Sequence, residues 1–221
     1  MATWKSLFPG GGAPVEGGSA RRPADRWLAR PAGRRRAERP PLVVSLWVGD
    51  LAEAPAAAIC TSTNPRLSLL GGTGGAVLLE AGPRVKREAQ ALLERRRQAG
   101  HEEMEVGSVH PTSAGTLPHD VILHCVASDS LHRSSPAIVR RCVEGALAAA
   151  DAAGATSVAM PVFGTGHASL DFAAALGAMA ESLAAAATDV EEVVVVLPDA
   201  DRLPRARQAL DATLAATAEP G

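Results

Sequence analysis

From Pro41 onward the chain alternates strand-length apolar runs with segments of helical spacing. That alternation is the signature of an α/β layered domain, in which helices cover a sheet. Leu42 to Val48, Ala56 to Thr63, Glu105 to Thr112, Asp120 to Ala127, Thr156 to Pro161 and Glu192 to Leu197 read as six strands. The Asp120 to Ala127 run is almost continuously apolar, which places it centrally, where both faces of a strand are covered. Helices are expected from Ala76 to about Gln98, from Ser135-Pro136 to Gly154, from about Asp171 to Ala187 and from about Pro204 to Ala216. Ser135-Pro136 is the preferred cap-then-proline order, and Gly154 is a helix stop. In the first helix Val77, Leu78, Val85, Ala89, Leu92 and Leu93 share the core side. Its last turn holds Arg95, Arg96 and Arg97, whose charges complement the helix dipole.

Composition removes several function classes. The longest apolar run, Val193 to Leu197, has strand length, far short of the roughly 18 residues of a membrane-spanning helix. Aromatic residues make up 3% of the chain and tyrosine is absent, so a base-stacking nucleic-acid platform has little to be built from. Cys60, Cys125 and Cys142 form no C-x-x-C and leave one thiol over in any disulfide scheme, which fits a reducing compartment. The histidines show no ligand spacing, and neither a metal nor a cofactor is expected. His124 and its neighbour Cys125 point to opposite faces of a strand and cannot act as a base and nucleophile pair, so His124 reads as a satisfied core histidine.

The overall charge of −2 hides an asymmetry. Residues 1–40 carry nine basic and three acidic side chains, a net +6, and leave −8 for the remainder. Rich in Gly and Pro and without apolar periodicity, they read as a disordered basic arm, with the folded domain at 41–217. Three meanings stay open for the arm: an inert tail, an organelle transit peptide, or a weak nucleic-acid contact. A secretory signal is excluded, because no apolar core follows the first basic residue. The expected location is cytoplasmic or nuclear, or an organelle if the arm is a transit peptide, and a monomer is expected.

The most informative segment is Leu70-Gly71-Gly72-Thr73-Gly74-Gly75-Ala76-Val77, a glycine cluster leading into a helix. Glycines permit close backbone approach, and a helix N-terminus offers unpaired N–H donors and partial positive charge, so such a place suits phosphate. It is not a P-loop, because the Gly-Lys-Ser/Thr ending is missing, and it lacks the last glycine of the dinucleotide fingerprint. A second loop, Gly164-Thr165-Gly166-His167, follows a later strand and is expected to aim backbone N–H groups and the Thr165 hydroxyl at oxygens. Two such loops suit a diphosphate. Gly49-Asp50 ends a third strand, where the carboxylate could accept from an exocyclic amine or act as a turn cap.

Taken in order, these pieces resemble the macro domain family, which binds ADP-ribose. The resemblance runs from about Leu42 to Leu214 and is carried by Gly49-Asp50-Leu51, the strand into Asn64, Leu70 to Val77 with Ala81-Gly82-Pro83 behind it, Val106 to Thr112, Val121 to His124 and Met160 to Gly166. It implies a three-layer α/β/α sandwich with a mixed, mostly parallel central sheet of about six strands. By that similarity Asp50 holds the adenine amine with the Leu51 backbone beside it, and Asn64 bonds the distal ribose. Gly71, Gly72, Thr73, Gly74, Gly75, Ala76 and Val77 wrap that ribose and a phosphate, while Gly164, Thr165, Gly166 and His167 close over the diphosphate.

Departures from the family pattern bear on catalysis. Members that hydrolyse ADP-ribose esters commonly carry Asn-Ala-Ala-Asn and a glycine loop containing Asp, and here Thr61 and Gly74 stand in the first Asn and Asp positions. A glycine cannot orient a water or take a proton. The aromatic of the family's second loop is replaced within Gly166-His167-Ala168-Ser169, and Pro198 stands where an adenine-stacking ring often follows the last strand. Three readings remain: a reader or sensor of ADP-ribose or of mono-ADP-ribosylated proteins; a hydrolase of ADP-ribosyl esters or ADP-ribose phosphate that relies on positioning and on the substrate's own phosphate; and a scaffold whose pocket is vestigial.

Overall fold

The computed structural model describes residues 3–7, 42–68 and 72–216. Among the described residues seven strands form one sheet: β1 (Thr3–Leu7), β2 (Val43–Val48), β3 (Ala58–Thr63), β4 (Val109–Ser113), β5 (Val121–Val126), β6 (Ser157–Pro161) and β7 (Glu192–Leu197). Their order is β1-β2-β7-β6-β3-β5-β4, and all neighbours run parallel except β4 with β5. Five α-helices among the described residues cover it: α1 (Gly72–Ala81), α2 (Pro83–Gln98), α3 (Pro136–Ala153), α4 (Phe172–Ala185) and α5 (Leu203–Ala216). The result is a three-layer α/β/α sandwich.

The two-residue strand period explains the two cores. In β7, Val193, Val195 and Leu197 pack on one face with α3, α4 and α5, while Val194 and Val196 pack on the other with α1 and α2. β3 divides the same way, with Cys60 on the first side and Ile59 on the second. β5 is buried along its whole length, as a strand covered on both faces must be.

Local chemistry sets the element ends. At α3 the Ser135 hydroxyl accepts from the Ile138 N–H at 3.4 Å, Pro136 takes the first turn, and Gly154 closes the helix in the left-handed region at φ 71°. At the antiparallel edge, Pro111 sits in β4, where a missing N–H donor is tolerated.

Three expectations are corrected. The disordered reading of residues 1–40 fails at Thr3–Leu7, which pairs in parallel with β2 from Thr3 opposite Val43 to Leu7 opposite Trp47. A composition averaged over the whole arm hid a short Thr-Trp-Lys-Ser-Leu segment with strand propensity; residues 8–41 lie outside the described residues. The single helix from Ala76 to Gln98 is two helices, broken where Gly82 adopts φ 82° and Pro83 opens α2. The strand expected from Glu105 starts only at Val109, because Gly107, at φ 86°, and the Ser108 N–H to Glu105 carbonyl bond form a turn instead.

Candidate functional site

A cleft of about 720 Å³ opens beyond the carboxyl ends of β2, β3, β5, β6 and β7. That is the general ligand position in an open α/β sheet, and the size suits a nucleotide-scale ligand. Asp50, Leu51, Asn64, Ala76, Gly164, Thr165, Gly166, His167 and Pro198 all line it, so residues scattered over the sequence meet at one place.

Asp50 follows β2 and caps a short 3-10 turn, Leu51–Glu53, through Oδ1, which accepts from the Ala52 N–H at 2.9 Å. One carboxylate oxygen is thus structural and the exposed group keeps acceptor capacity toward the cleft. Leu51 packs its side chain into the core beneath. Asn64 ends β3, and its Oδ1 accepts from the N–H groups of Arg66 at 3.0 Å and Ser68 at 3.3 Å. This Asx turn spends the carbonyl and leaves the amide as a donor.

The glycine cluster is more helical than its composition suggests. Gly72, Thr73, Gly74 and Gly75 form the first turn of α1 instead of a loop before it, and Gly71 lies outside the described residues. The N–H groups of a first turn have no partner inside the helix, but among the described residues of α1 it is Ala76, one turn further on, that lines the cleft. Burial of Val77 and Ala81 against the sheet offsets the low helix propensity of glycine. Ala76 reaches the cleft wall, whereas Val77 directs its side chain into the core.

In the second loop Gly164 takes φ 77° and its carbonyl accepts from the Leu170 N–H at 2.9 Å, while the Ser169 N–H bonds the Gly166 carbonyl at 3.0 Å. The Thr165 hydroxyl, expected to face ligand oxygens, instead donates to the Val162 carbonyl at 2.8 Å. Among the described residues no acceptor is bonded to the N–H groups of Gly166 or His167. The loop therefore presents backbone donors, the pattern that suits an anion.

Sequence reasoning missed Ser62, Thr63, Ser68, Ser128, His132 and Arg202, which also line the cleft. His132 faces His167, with ring centroids 6.4 Å apart. Ser62 and Thr63 end β3 and the others lie in the segments that follow β3, β5 and β7, and the closure of those segments in space has no local sequence mark. Among the described residues, the non-glycine positions with positive φ are Leu67, His132 and Ser169, in the loops that follow β3, β5 and β6 around this cleft. Left-handed backbone at such residues costs energy and gathers at functional sites.

Behind the cleft, Thr61 does not face a ligand. It is fully buried, with its hydroxyl 2.8 Å from His124 Nδ1, and Thr112 lies 2.9 Å from Nε2. His124 is the satisfied core histidine expected, and burial holds its pKa down at about 4. The three thiols are free and buried, and burial raises the pKa of Cys125 and of Cys142, so those two are poor nucleophiles. Among the described residues no group of three His, Cys, Asp or Glu side chains could hold a metal ion, and no helix is long and apolar enough to cross a membrane.

A mixed α/β/α sandwich with a cleft beyond the carboxyl ends of its strands has the architecture in which open α/β sheets hold their ligands. The macro domain family model matches residues 60–179. An O-acetyl-ADP-ribose deacetylase of Pantoea vagans is 33% identical over 121 residues, 53% of this chain and 67% of that protein. An uncharacterised protein of Pyrobaculum aerophilum is 29% identical over 161 residues, 70% of this chain and 83% of the relative. Among solved structures, the Oceanobacillus iheyensis macrodomain with ADP superposes with a TM-score of 0.68 at 24% identity, covering 78% of this chain and 92% of that one. The chain belongs to the macro domain family, whose fold supports binding or processing of ADP-ribose.

Proposed function

We propose that the cleft binds ADP-ribose, free or attached to a protein, and that the chain acts as a reader or sensor. The observation that carries this reading is the convergence of Asp50, Asn64, Ala76 of α1 and the Gly164–His167 loop beyond the strand ends of one sheet. The remaining acceptor capacity of Asp50 suits an adenine amine, the Asn64 amide suits a ribose hydroxyl, and the N–H groups of the loop suit a diphosphate. The solved relative with ADP supports a nucleotide diphosphate as the ligand class. Gly74 lies in a helical turn and has no group to activate water, which favours binding over turnover. Calorimetric titration of the full chain with ADP-ribose tests the reading; a folded protein that gives no heat rejects it. The full chain is needed because Thr3–Leu7 is part of the sheet.

A second reading, hydrolysis of ADP-ribosyl esters, is favoured by the His132 and His167 pair in the cleft wall. One neutral imidazole would take a proton from the water that attacks the ester carbonyl carbon. The other, protonated, would give its proton to the ribose oxygen as the acyl C–O bond breaks. The Pantoea vagans relatives named O-acetyl-ADP-ribose deacetylases support this class of substrate. Acetate release from O-acetyl-ADP-ribose at the buffer rate removes it, as does an unchanged rate when both histidines become alanine.

A further inference from the structure

Among the described residues no Phe or Trp side chain lines the cleft, and Pro198 stands just beyond the end of β7. A planar cation stands four residues further on. Arg202 lines the cleft together with Asp50, Val196 and Pro198. β2 and β7 are neighbours in parallel register, with Val48 opposite Leu197 and the Gly49 N–H bonded to the Leu197 carbonyl at 3.0 Å. Asp50 and Pro198 therefore emerge side by side, and Arg202 belongs to the same end of the cleft.

We infer that the Arg202 guanidinium is the flat surface on which the adenine of the bound nucleotide stacks. The inference rests on the ADP-ribose reading of the cleft and assigns its base-recognising wall.

Three contacts hold the group in place. Asp199 caps the short 3-10 turn Ala200–Arg202 by accepting from the Arg202 N–H at 3.2 Å, and its other oxygen pairs with the Arg202 Nε at 3.1 Å. The guanidinium carbon also lies 5.6 Å from the centre of the Phe172 ring on α4, within cation–π range. Arg205 stands 5.7 Å from the same ring but is absent from the cleft wall. A guanidinium is planar, delocalised and more weakly hydrated than an ammonium, so it can lose water to a base face that a lysine would not cover. Because Asp199 and Phe172 already restrict it, less side-chain freedom is lost when a base arrives. Asp50 would then take the amine at the edge of the base while Arg202 takes its face.

The test compares the dissociation constants of wild type, Arg202→Ala, Arg202→Lys and Arg202→Trp for ADP-ribose. The Arg202 side chain is 42% exposed, so none of these changes disturbs the core. Loss of a stacking face should weaken binding about tenfold in the alanine variant. Lysine, which keeps the charge without the plane, should be about as weak, and tryptophan should return binding to within about threefold of wild type. Wild-type affinity in the alanine variant overturns the inference. Full rescue by lysine also overturns it, because the group would then be a charge contact to phosphate. No binding by wild type overturns the ADP-ribose reading itself and this inference with it.

Discussion

His124 Nδ1 lies 2.8 Å from the Thr61 hydroxyl, and the other ring nitrogen is 2.9 Å from Thr112, so one imidazole ties β5 to both of its neighbours, β3 and β4. All three side chains are buried. The family's hydrolytic members were expected to show Asn where Thr61 stands, and in this chain that position is committed to a core hydrogen bond instead. Catalysis, if present, must come from other residues.

The first prediction concerns acid stability. Burial, reinforced by nearby His110 and opposed by Glu88, lowers the His124 pKa to about 4 from the usual 6.5. The unfolded chain therefore binds the proton first as pH falls. The contribution of neutral His124 is complete above pH 6.5, declines between 6.5 and about 4, and is gone below, up to about 3 kcal/mol in total. His124→Gln lacks this titration but leaves at least one threonine hydroxyl poorly paired. The gap in urea stability between wild type and this variant should be largest at pH 7 and shrink toward pH 4. A gap constant across that range would refute the assignment.

The strands were legible because a sheet covered on both faces leaves runs such as Val193 to Leu197 with no competing interpretation. The α1 to α2 break was visible in Gly82-Pro83, yet helical spacing of the apolar residues on both sides concealed it. Asp50, Asn64 and the Gly164 loop were legible as strand-end residues. His132 and Arg202 were not, because their importance comes from which loops the strand order brings together. β1 was hidden by its neighbours, since five residues of strand pattern weigh little beside a Gly, Pro and Arg-rich segment.

Asp50 has two separable duties. Replacing it with alanine removes the cap on the Ala52 N–H, which should cost about 1 kcal/mol, and also removes the acceptor for the base amine. Asp50→Asn keeps an oxygen for the cap but loses the charge and second acceptor. Thermal denaturation should show the asparagine variant within about 0.5 kcal/mol of wild type. Calorimetry should show ADP-ribose binding weakened in both variants. Unchanged affinity in the asparagine variant would remove Asp50 from the ligand.

The two loop glycines should fail in different ways. A Cβ at Gly164, where φ is 77°, would lie 2.7 Å from the Ser134 hydroxyl oxygen and 2.9 Å from its Cβ. Gly164→Ala should therefore cost about 1–3 kcal/mol of stability. At Gly166 nothing lies within 4 Å of an added Cβ and no left-handed φ is required. Gly166→Glu should fold normally, yet place a carboxylate where the diphosphate is expected and abolish ADP-ribose binding. Normal binding by a folded Gly166→Glu protein would exclude the loop from the site.

Gly115 holds α1 in place from outside the cleft. It adopts φ 64°, and an added Cβ would fall 1.9 Å from the Ala81 carbonyl oxygen and 3.1 Å from Val85 Cγ2. The next residue closes the end of α1: the Thr116 N–H bonds the Ala81 carbonyl at 3.1 Å and its hydroxyl donates to the Glu80 carbonyl. No rotamer relieves a clash between Cβ and a backbone oxygen, so Gly115→Ala must push the α1–α2 junction away. The expected loss is about 3 kcal/mol or more. Thr116→Ala removes only the hydroxyl bond and should cost about 1 kcal/mol. Since α1 carries Ala76 into the cleft wall, Gly115→Ala should also weaken ADP-ribose binding under conditions where it remains folded, while Thr116→Ala should barely alter it. Urea denaturation and calorimetry on both variants separate the two effects. A Gly115→Ala protein within about 1 kcal/mol of wild type would show that the junction is free to move.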